Sequence, residues 1–250
     1  MKIAVLMGGG TSEHEISLLT GEAVSKALES RGHQVERIVL RSASGLPEAV
    51  RDFDSDLVFV ALHGGAGEDG RVQDLLELAG IPYVGSRPGP CSVAMDKVWA
   101  KQIARQVGVP TTPEADFESP APADKILTLA KPLGPATVLK PVAEGSAVGV
   151  HLCPDPEHLE AILGENPPVS GRWMIEPFVP GRELTVGIVL DQACPVIEIR
   201  PRDGFYDYTN KYTAGRTEYD CPAELPEDVA GRVASDALRL YHALHLRDMA

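Results

Sequence analysis

The stretch Ile3-Ala4-Val5-Leu6-Met7 is wholly apolar, ends in Gly8-Gly9-Gly10, and is followed by apolar residues at helical spacing from Ile16 to Leu28. A short apolar run bounded by glycines reads as a strand, and such a strand must be covered on both faces. Gly32 falls where the C′ glycine of the helix belongs. The alternation continues: Val35 to Leu40 and Leu57 to Leu62 read as strands, Val72 to Ala79 as a helix stopped by Gly80, and Ile81 to Val84 as a short strand. This pattern predicts an α/β fold with a parallel sheet and helices on its faces, and such sheets take ligands outside the carboxyl ends of their strands. Two glycine-rich turns, Gly8 to Ser12 and His63 to Gly70, follow strands and so fall on that edge.

Farther on, Ser92 to Gly108 reads as an amphipathic helix carrying Asp96, Lys97 and Lys101, and the proline-rich Pro110 to Pro122 as a linker or exposed loop. Thr137 to Lys140 and Val148 to Leu152 read as strands joined by a tight glycine-bearing hairpin, followed by a helix near Glu157 to Leu163 and a strand from Trp173 to Phe178. An antiparallel pair implies a second unit. Two more strands, Glu183 to Leu190 and Cys194 to Arg200, precede a long polar loop and a helix from Pro226 to Leu244 with proline in its first turn and Glu227 and Asp228 complementing its dipole. The expected organisation is an N-terminal α/β domain over 1–90, a central unit over 91–180 and a third over 181–250, the last expected to lack its final strands because another element should begin near Ala250.

With 250 residues and 44% hydrophobic content, the chain can bury a sizeable core. A net charge of −13 argues against nucleic acid and anionic membrane as partners, so a bound phosphate must rely on a few local lysines. Cys91, Cys153, Cys194 and Cys221 form no C-x-x-C pair, which fits a reduced cytoplasmic protein better than a disulfide framework or a zinc site. The apolar start is too short for a signal peptide, and no stretch approaches the length of a membrane span.

Lys140 lies on an apolar strand, where a lysine needs a charged partner or an anionic ligand unless its stem merely snorkels along the surface. Downstream, Gly145, Ser146 and Gly149 permit a backbone that closes N–H groups over a polyphosphate, although a simple hairpin turn would use the same residues. Neither G-x-x-x-x-G-K-[ST] nor G-x-G-x-x-G is present at this loop. Glu176-Pro177-Phe178-Val179 and Gly181-Arg182-Glu183 form a crossover with carboxylates at both ends, able to offer backbone groups to an adenine edge and Glu183 to a ribose, or simply to face solvent. Glu13-His14-Glu15 sits at the start of the first helix, where Glu13 either caps the helix or meets a substrate ammonium group. His63 is equally a packed loop histidine or part of a site. Asp207-Tyr208-Thr209-Asn210-Lys211-Tyr212 reads as a loop able to cover a small substrate.

Taken in order, Gly8-Gly9 through Glu13-His14-Glu15-Ile16-Ser17-Leu18, His63-Gly64 to Gly67-Glu68-Asp69-Gly70, Gly80-Ile81-Pro82-Tyr83-Val84-Gly85-Ser86 and Met95-Asp96-Lys97 resemble the D-alanine–D-alanine ligases of the ATP-grasp superfamily. Lys140-Pro141 with Gly145-Ser146, Gly181-Arg182-Glu183-Leu184-Thr185-Val186, and Phe205-Tyr206-Asp207-Tyr208 to Lys211-Tyr212 continue the resemblance over essentially the whole chain. It implies an ATP-grasp fold in which two α+β units enclose ATP, and ligation of two D-alanine molecules through an acyl phosphate, for peptidoglycan precursors. By the same resemblance, Lys97 and Lys140 bind the phosphates with Gly145 and Ser146 in the lid, Glu176 and the Phe178-Val179 backbone meet adenine, and Glu183 meets ribose. Glu13, Ser146 and Tyr212 would form a hydrogen-bonded set around the first D-alanine, with His63 beside the substrate and Lys211 in the segment closing over it. A homodimer and Mg²⁺ are implied as well.

Two departures accompany the resemblance. Ser146-Ala147 stands where the family has two serines, which keeps the backbone donor and loses one hydroxyl. The family's Arg-x-Asp and Glu-x-Asn segments, which supply an oxyanion arginine and the Mg²⁺ ligands, are expected beyond Ala250, so no metal ligand is assigned within the chain. The 250 residues are therefore expected to bind nucleotide and to be a poor catalyst by themselves. Ligases that join D-alanine to D-lactate or D-serine, and a nucleotide-binding fragment without turnover, are the alternative readings.

Overall fold

The computed structural model describes residues 1–41 and 55–250. The chain forms two compact units: Met1–Met95, Gly187–Cys194 and Tyr241–Ala250 make the first, Asp96–Val186 and Pro195–Leu240 the second.

The first unit opens with β1 (Lys2–Gly8), α1 (His14–Ser30), β2 (Gln34–Leu40) and β3 (Leu57–Val60). It continues with α2 (Arg71–Leu78), β4 (Tyr83–Val84) and α3 (Pro88–Met95). The sheet runs β2-β1-β3-β4 and every pairing is parallel. Side chains alternate across a strand, and β1 shows why its whole length is apolar. Ala4 and Leu6 point into a core with Val72, Leu76 and Tyr83, whereas Ile3, Val5 and Met7 point to the other face, against Leu18, Val24 and Leu28 of α1. Ser17 is buried between these layers because its hydroxyl is used twice, donating to Ala61 O at 2.7 Å and accepting from Gly8 N at 2.8 Å. That pair of bonds fixes the start of α1 against the carboxyl ends of β1 and β3. Gly32 takes a positive φ of 82° beyond α1, as the C′ position requires.

The second unit begins with α4 (Lys97–Gln106), β5 (Ala115–Ser119), α5 (Ala123–Ala130), β6 (Thr137–Pro141) and β7 (His151–Cys153). Then come α6 (Pro156–Glu165), β8 (Gly171–Pro177) and β9 (Glu183–Thr185). Strands β5-β8-β6-β7 form an antiparallel sheet. One face of it, with Phe117, Leu139 and Ile175, packs on Ile126, Leu159 and Leu163 of α5 and α6. After β9 the chain contributes the hairpin β10 (Ile188–Val189) and β11 (Gln192–Ala193) to the first unit. Leu190 and Asp191 turn it with positive φ at both positions. The second unit is completed by β12 (Ile197–Pro201), α7 (Tyr208–Tyr212), β13 (Thr217–Asp220) and most of α8 (Glu227–Ala243), and its second sheet runs β13-β12-β9, all antiparallel.

Four expectations from the sequence are corrected. The helix expected over Ser92 to Gly108 is two helices, because Asp96 leaves helical geometry to cap α4, its Oδ1 accepting from Trp99 N at 2.9 Å. The proline-rich segment is no simple linker: it contains β5, whose Phe117 is buried in the second core. Glu183 to Leu190 is not one strand, since β9 ends at Thr185 and Ile188 pairs within the first unit. The polar stretch after Arg200 holds a helical turn and a strand, α7 and β13, so Tyr208 to Tyr212 is helical rather than a loop.

Candidate active site

In the first unit, two turns meet at the carboxyl ends of β1 and β3. Thr11 joins them: its hydroxyl donates to His63 O at 2.9 Å and accepts from Glu13 N at 3.3 Å. Glu13 stands at the N-cap position of α1, is 5% exposed, and its side chain makes no capping hydrogen bond. Gly64 makes room for that carboxylate; a Cβ on it would lie 2.7 Å from Glu13 Oε2, and its φ of +66° is one that side-chain-bearing residues rarely adopt. His63 is oriented at both ring nitrogens, with Nε2 2.9 Å from Thr20 Oγ1 and Nδ1 3.6 Å from Glu68 Oε1. A buried carboxylate and an anchored imidazole thus share one edge of the sheet.

In the second unit, a cleft of about 330 Å³ is lined by Lys140, Glu176, Phe178, Val179, Glu183 and Tyr206, among others. Its floor is β6 and β8, paired so that Lys140 lies opposite Met174 and Val138 opposite Glu176. Lys140 finds the charged partner that its place on an apolar strand demands, an ion pair with Glu176 Oε1. The other oxygen of Glu176 pairs with Lys101 and accepts from Thr112 Oγ1 at 2.8 Å. Burial would raise the Glu176 carboxyl, but Lys101 and Lys140 outweigh it and hold it below the ordinary carboxylate value. Glu183, with no such partner to oppose burial, is pushed up.

The segment between β6 and β7 forms an arch of successive turns. Ser146 and Ala147 both take left-handed backbone, with φ of 51° and 58°, and the turn is closed by Val148 N to Gly145 O at 3.0 Å and Val150 N to Ala147 O at 3.2 Å. Sequence pointed to the glycines as the special positions here, yet the left-handed residues beside Gly149 are a serine and an alanine. Ser146 Oγ is 2.8 Å from Tyr212 Oη and accepts from Lys211 Nζ at 2.9 Å, so α7 is latched to this arch. The root of the arch is held by Lys97, whose Nζ donates to Pro141 O at 3.3 Å, Val142 O at 3.1 Å and Glu144 O at 2.5 Å. Burial, seconded by the nearby Lys140 charge, lowers the Lys97 ammonium to about 8.

Of the residues expected to act together, Lys97, Lys140, Gly145, Ser146, Glu176, Phe178, Val179, Glu183, Lys211 and Tyr212 all belong to the second unit, and Glu13 and His63 to the first. Four supporting residues escaped the sequence reading. Lys101 and Thr112 hold Glu176; Arg172 pairs with Asp96 at 2.7 Å and Asp116 at 2.8 Å, bracing the start of α4; Asn210 is the buried residue of α7. Lys101 and Asn210 stood within segments singled out in the sequence, but nothing there marked either as a support, and Glu176 lies 75 residues from Lys101.

The chain matches the family description D-ala D-ala ligase C-terminus over residues 103–250 and D-ala D-ala ligase N-terminus over residues 42–86. It is 41% identical to a D-alanine–D-alanine ligase of Aquifex aeolicus, covering 100% of this chain and 83% of that protein. The chain belongs to the D-alanine–D-alanine ligase family. A second relative, from Syntrophotalea carbinolica, is 42% identical over 97% of this chain and 77% of its own length. Among solved structures, the D-alanine–D-alanine ligase of Bacillus anthracis complexed with ATP superposes with a TM-score of 0.82 at 32% identity, covering 100% of this chain and 80% of that one. The VanG D-Ala:D-Ser ligase of Enterococcus faecalis, at 24% identity and a TM-score of 0.80, shares the fold. The α/β ATP-grasp architecture expected from the sequence is therefore the observed one.

Proposed function

We infer that this member of the D-alanine–D-alanine ligase family is an ATP-dependent ligase that joins two D-alanine molecules, in the service of cell-wall precursor synthesis. The observation that carries the reading is the cleft of the second unit: a lysine-bearing floor, an arch able to turn N–H groups inward, and a helical turn bound to that arch through Ser146, Lys211 and Tyr212.

In this reading Lys140 and Lys97 supply positive charge to the phosphates, the Phe178-Val179 backbone and Glu176 meet adenine, and Glu183 meets the ribose. The carboxylate of one D-alanine attacks the γ-phosphorus, forming a P–O bond as the bond to the leaving ADP breaks. The amine of the second D-alanine then attacks the acyl carbon, loses a proton and expels phosphate. Water must be kept from the acyl phosphate, and the latch between Ser146 and Tyr212 suits that task. Glu13 and His63 are assigned to D-alanine, Glu13 as the counter-charge of its ammonium group. Mg²⁺ enters only as the counter-ion of the polyphosphate: among the described residues no three His, Cys, Asp or Glu side chains converge to hold it, so no residue is assigned to it and no step is derived through it. A cytoplasmic location and a homodimer complete the reading; four free cysteines suit the first, and sedimentation of the purified protein tests the second.

The direct test is calorimetric binding of ATP to the wild type and to Lys140→Ala, alongside release of phosphate from ATP on addition of D-alanine with mass-spectrometric detection of the dipeptide. Binding at least tenfold weaker in Lys140→Ala is expected from loss of a charge-assisted contact. Equal ATP affinity in the two proteins refutes the phosphate assignment.

A further inference from the structure

The two oxygens of Glu176 are used unequally. Oε2 receives the Lys101 ammonium and the Thr112 hydroxyl, while Oε1 receives Lys140 alone. Each carboxylate oxygen offers about two acceptor positions. Oε2 is therefore saturated and Oε1 keeps one position open. The saturating pair is itself fixed. Lys101 Nζ lies 3.0 Å from Glu114 Oε2 and donates to Thr112 Oγ1 at 2.9 Å. Because the Thr112 hydroxyl accepts from Lys101, its single proton is committed to Glu176 at 2.8 Å. Lys101 and Glu114 are both largely shielded, with side chains 14% and 7% exposed, so water competes weakly for these bonds. Thr112, Lys140 and Glu176 all border the cleft.

We infer that Thr112 and Lys101 are positioning residues for base selection: they fix the Glu176 carboxylate so that its one remaining acceptor position serves a donor N–H on a bound base. A 6-aminopurine supplies that donor. A 6-oxopurine sets a carbonyl oxygen against the carboxylate, and lone pair facing lone pair is penalised. Without the Thr112 hydroxyl, Oε2 regains an open position, the carboxylate is held by the two lysines alone, and the preference weakens. This rests on the nucleotide reading of the cleft.

The test measures dissociation constants of ADP and IDP by calorimetry for the wild type, Thr112→Val, Thr112→Ser and Lys101→Met, with thermal unfolding of each. Thr112→Val is close to isosteric and removes the hydroxyl; Thr112→Ser returns it. The wild type is expected to prefer ADP. In Thr112→Val and Lys101→Met the ADP-to-IDP preference should fall by about tenfold, mainly through weaker ADP binding, and Thr112→Ser should restore it to within about twofold. A preference unchanged in Thr112→Val, or an equal loss for both nucleotides, overturns the inference and leaves the nucleotide reading standing. A wild type that binds neither nucleotide overturns both.

Discussion

Lys97 offers the sharpest quantitative test, because its ammonium is both buried and shared among three carbonyls. A fall from 10.5 to about 8 corresponds to about 3 kcal/mol against the charged form, before allowance for solvent that still reaches this half-buried group. The sign follows from linkage. Between the folded value near 8 and the unfolded value of 10.5, the unfolded chain holds a proton that the folded chain has released. The burial cost is thus fully present below pH 8, and stability from this group rises with pH through the window. Lys97→Met removes the cost but also three hydrogen bonds of about 1 kcal/mol each, so unfolding free energy should move by less than about 1 kcal/mol. Nucleotide binding should respond very differently. A polyphosphate beside Nζ restores the proton, so binding at pH 8 should take up about half a proton, and nucleotide phosphates, with their last ionisation near pH 6, add nothing there. The assay is calorimetry of ADP binding at pH 8 in two buffers of different ionisation enthalpy, HEPES and Tris. The wild type should show the buffer dependence, with affinity falling as pH rises above 8, and Lys97→Met should show neither. Identical enthalpies in both buffers for the wild type would refute the placement of Lys97 against phosphate.

Two further substitutions probe the supports of the site. Gly64→Ala puts a Cβ 2.7 Å from Glu13 Oε2 at a φ of +66°, so it should cost about 1–2 kcal/mol and weaken D-alanine binding by more than tenfold; wild-type D-alanine affinity in this variant would remove Glu13 from the site. Asn210→Ala deletes two 2.8 Å bonds from Nδ2 to Asp203 O and Phe205 O, which should loosen the segment around α7 by about 1–3 kcal/mol and speed proteolytic cleavage within 203–217 by about tenfold. Cleavage at the wild-type rate would show that the Asp207 cap and the Thr217 bond to Asn210 O suffice by themselves.

The parallel sheet was legible because the first unit obeys a local rule. Where both faces of β1 are covered, every residue from Ile3 to Met7 must be apolar, and such a run betrays itself without knowledge of its neighbours. The second unit hid more. Asp96 sits inside an unbroken amphipathic pattern, and only its capping bond to Trp99 N with Arg172 on its second oxygen turns one expected helix into two. Phe117 is a lone buried aromatic among prolines and acids, too little periodicity to declare a strand. The break after Thr185 is invisible locally, because Ile188 and Val189 continue an apolar run while pairing within the other unit.

The site divides along the same line. Residues whose chemistry is conspicuous in place, such as Lys140 on an apolar strand or Glu13 in a glycine turn, could be picked out with a competing structural reading beside each. What bears on each reading is a neighbour distant in sequence: Glu176 for Lys140, 36 residues on, and Gly64 for Glu13. Lys101 and Glu176, 75 residues apart, carry no mark that either needs the other. Yet a carboxylate in the second core's sheet can stay ionised only if its oxygens are matched by donors, and the count of those donors sets how many acceptor positions a ligand can find. The chemistry offered to a nucleotide base is therefore set by the residues that hold Glu176, and substitutions at Thr112 and Lys101 should change which base is bound before they change whether the protein folds.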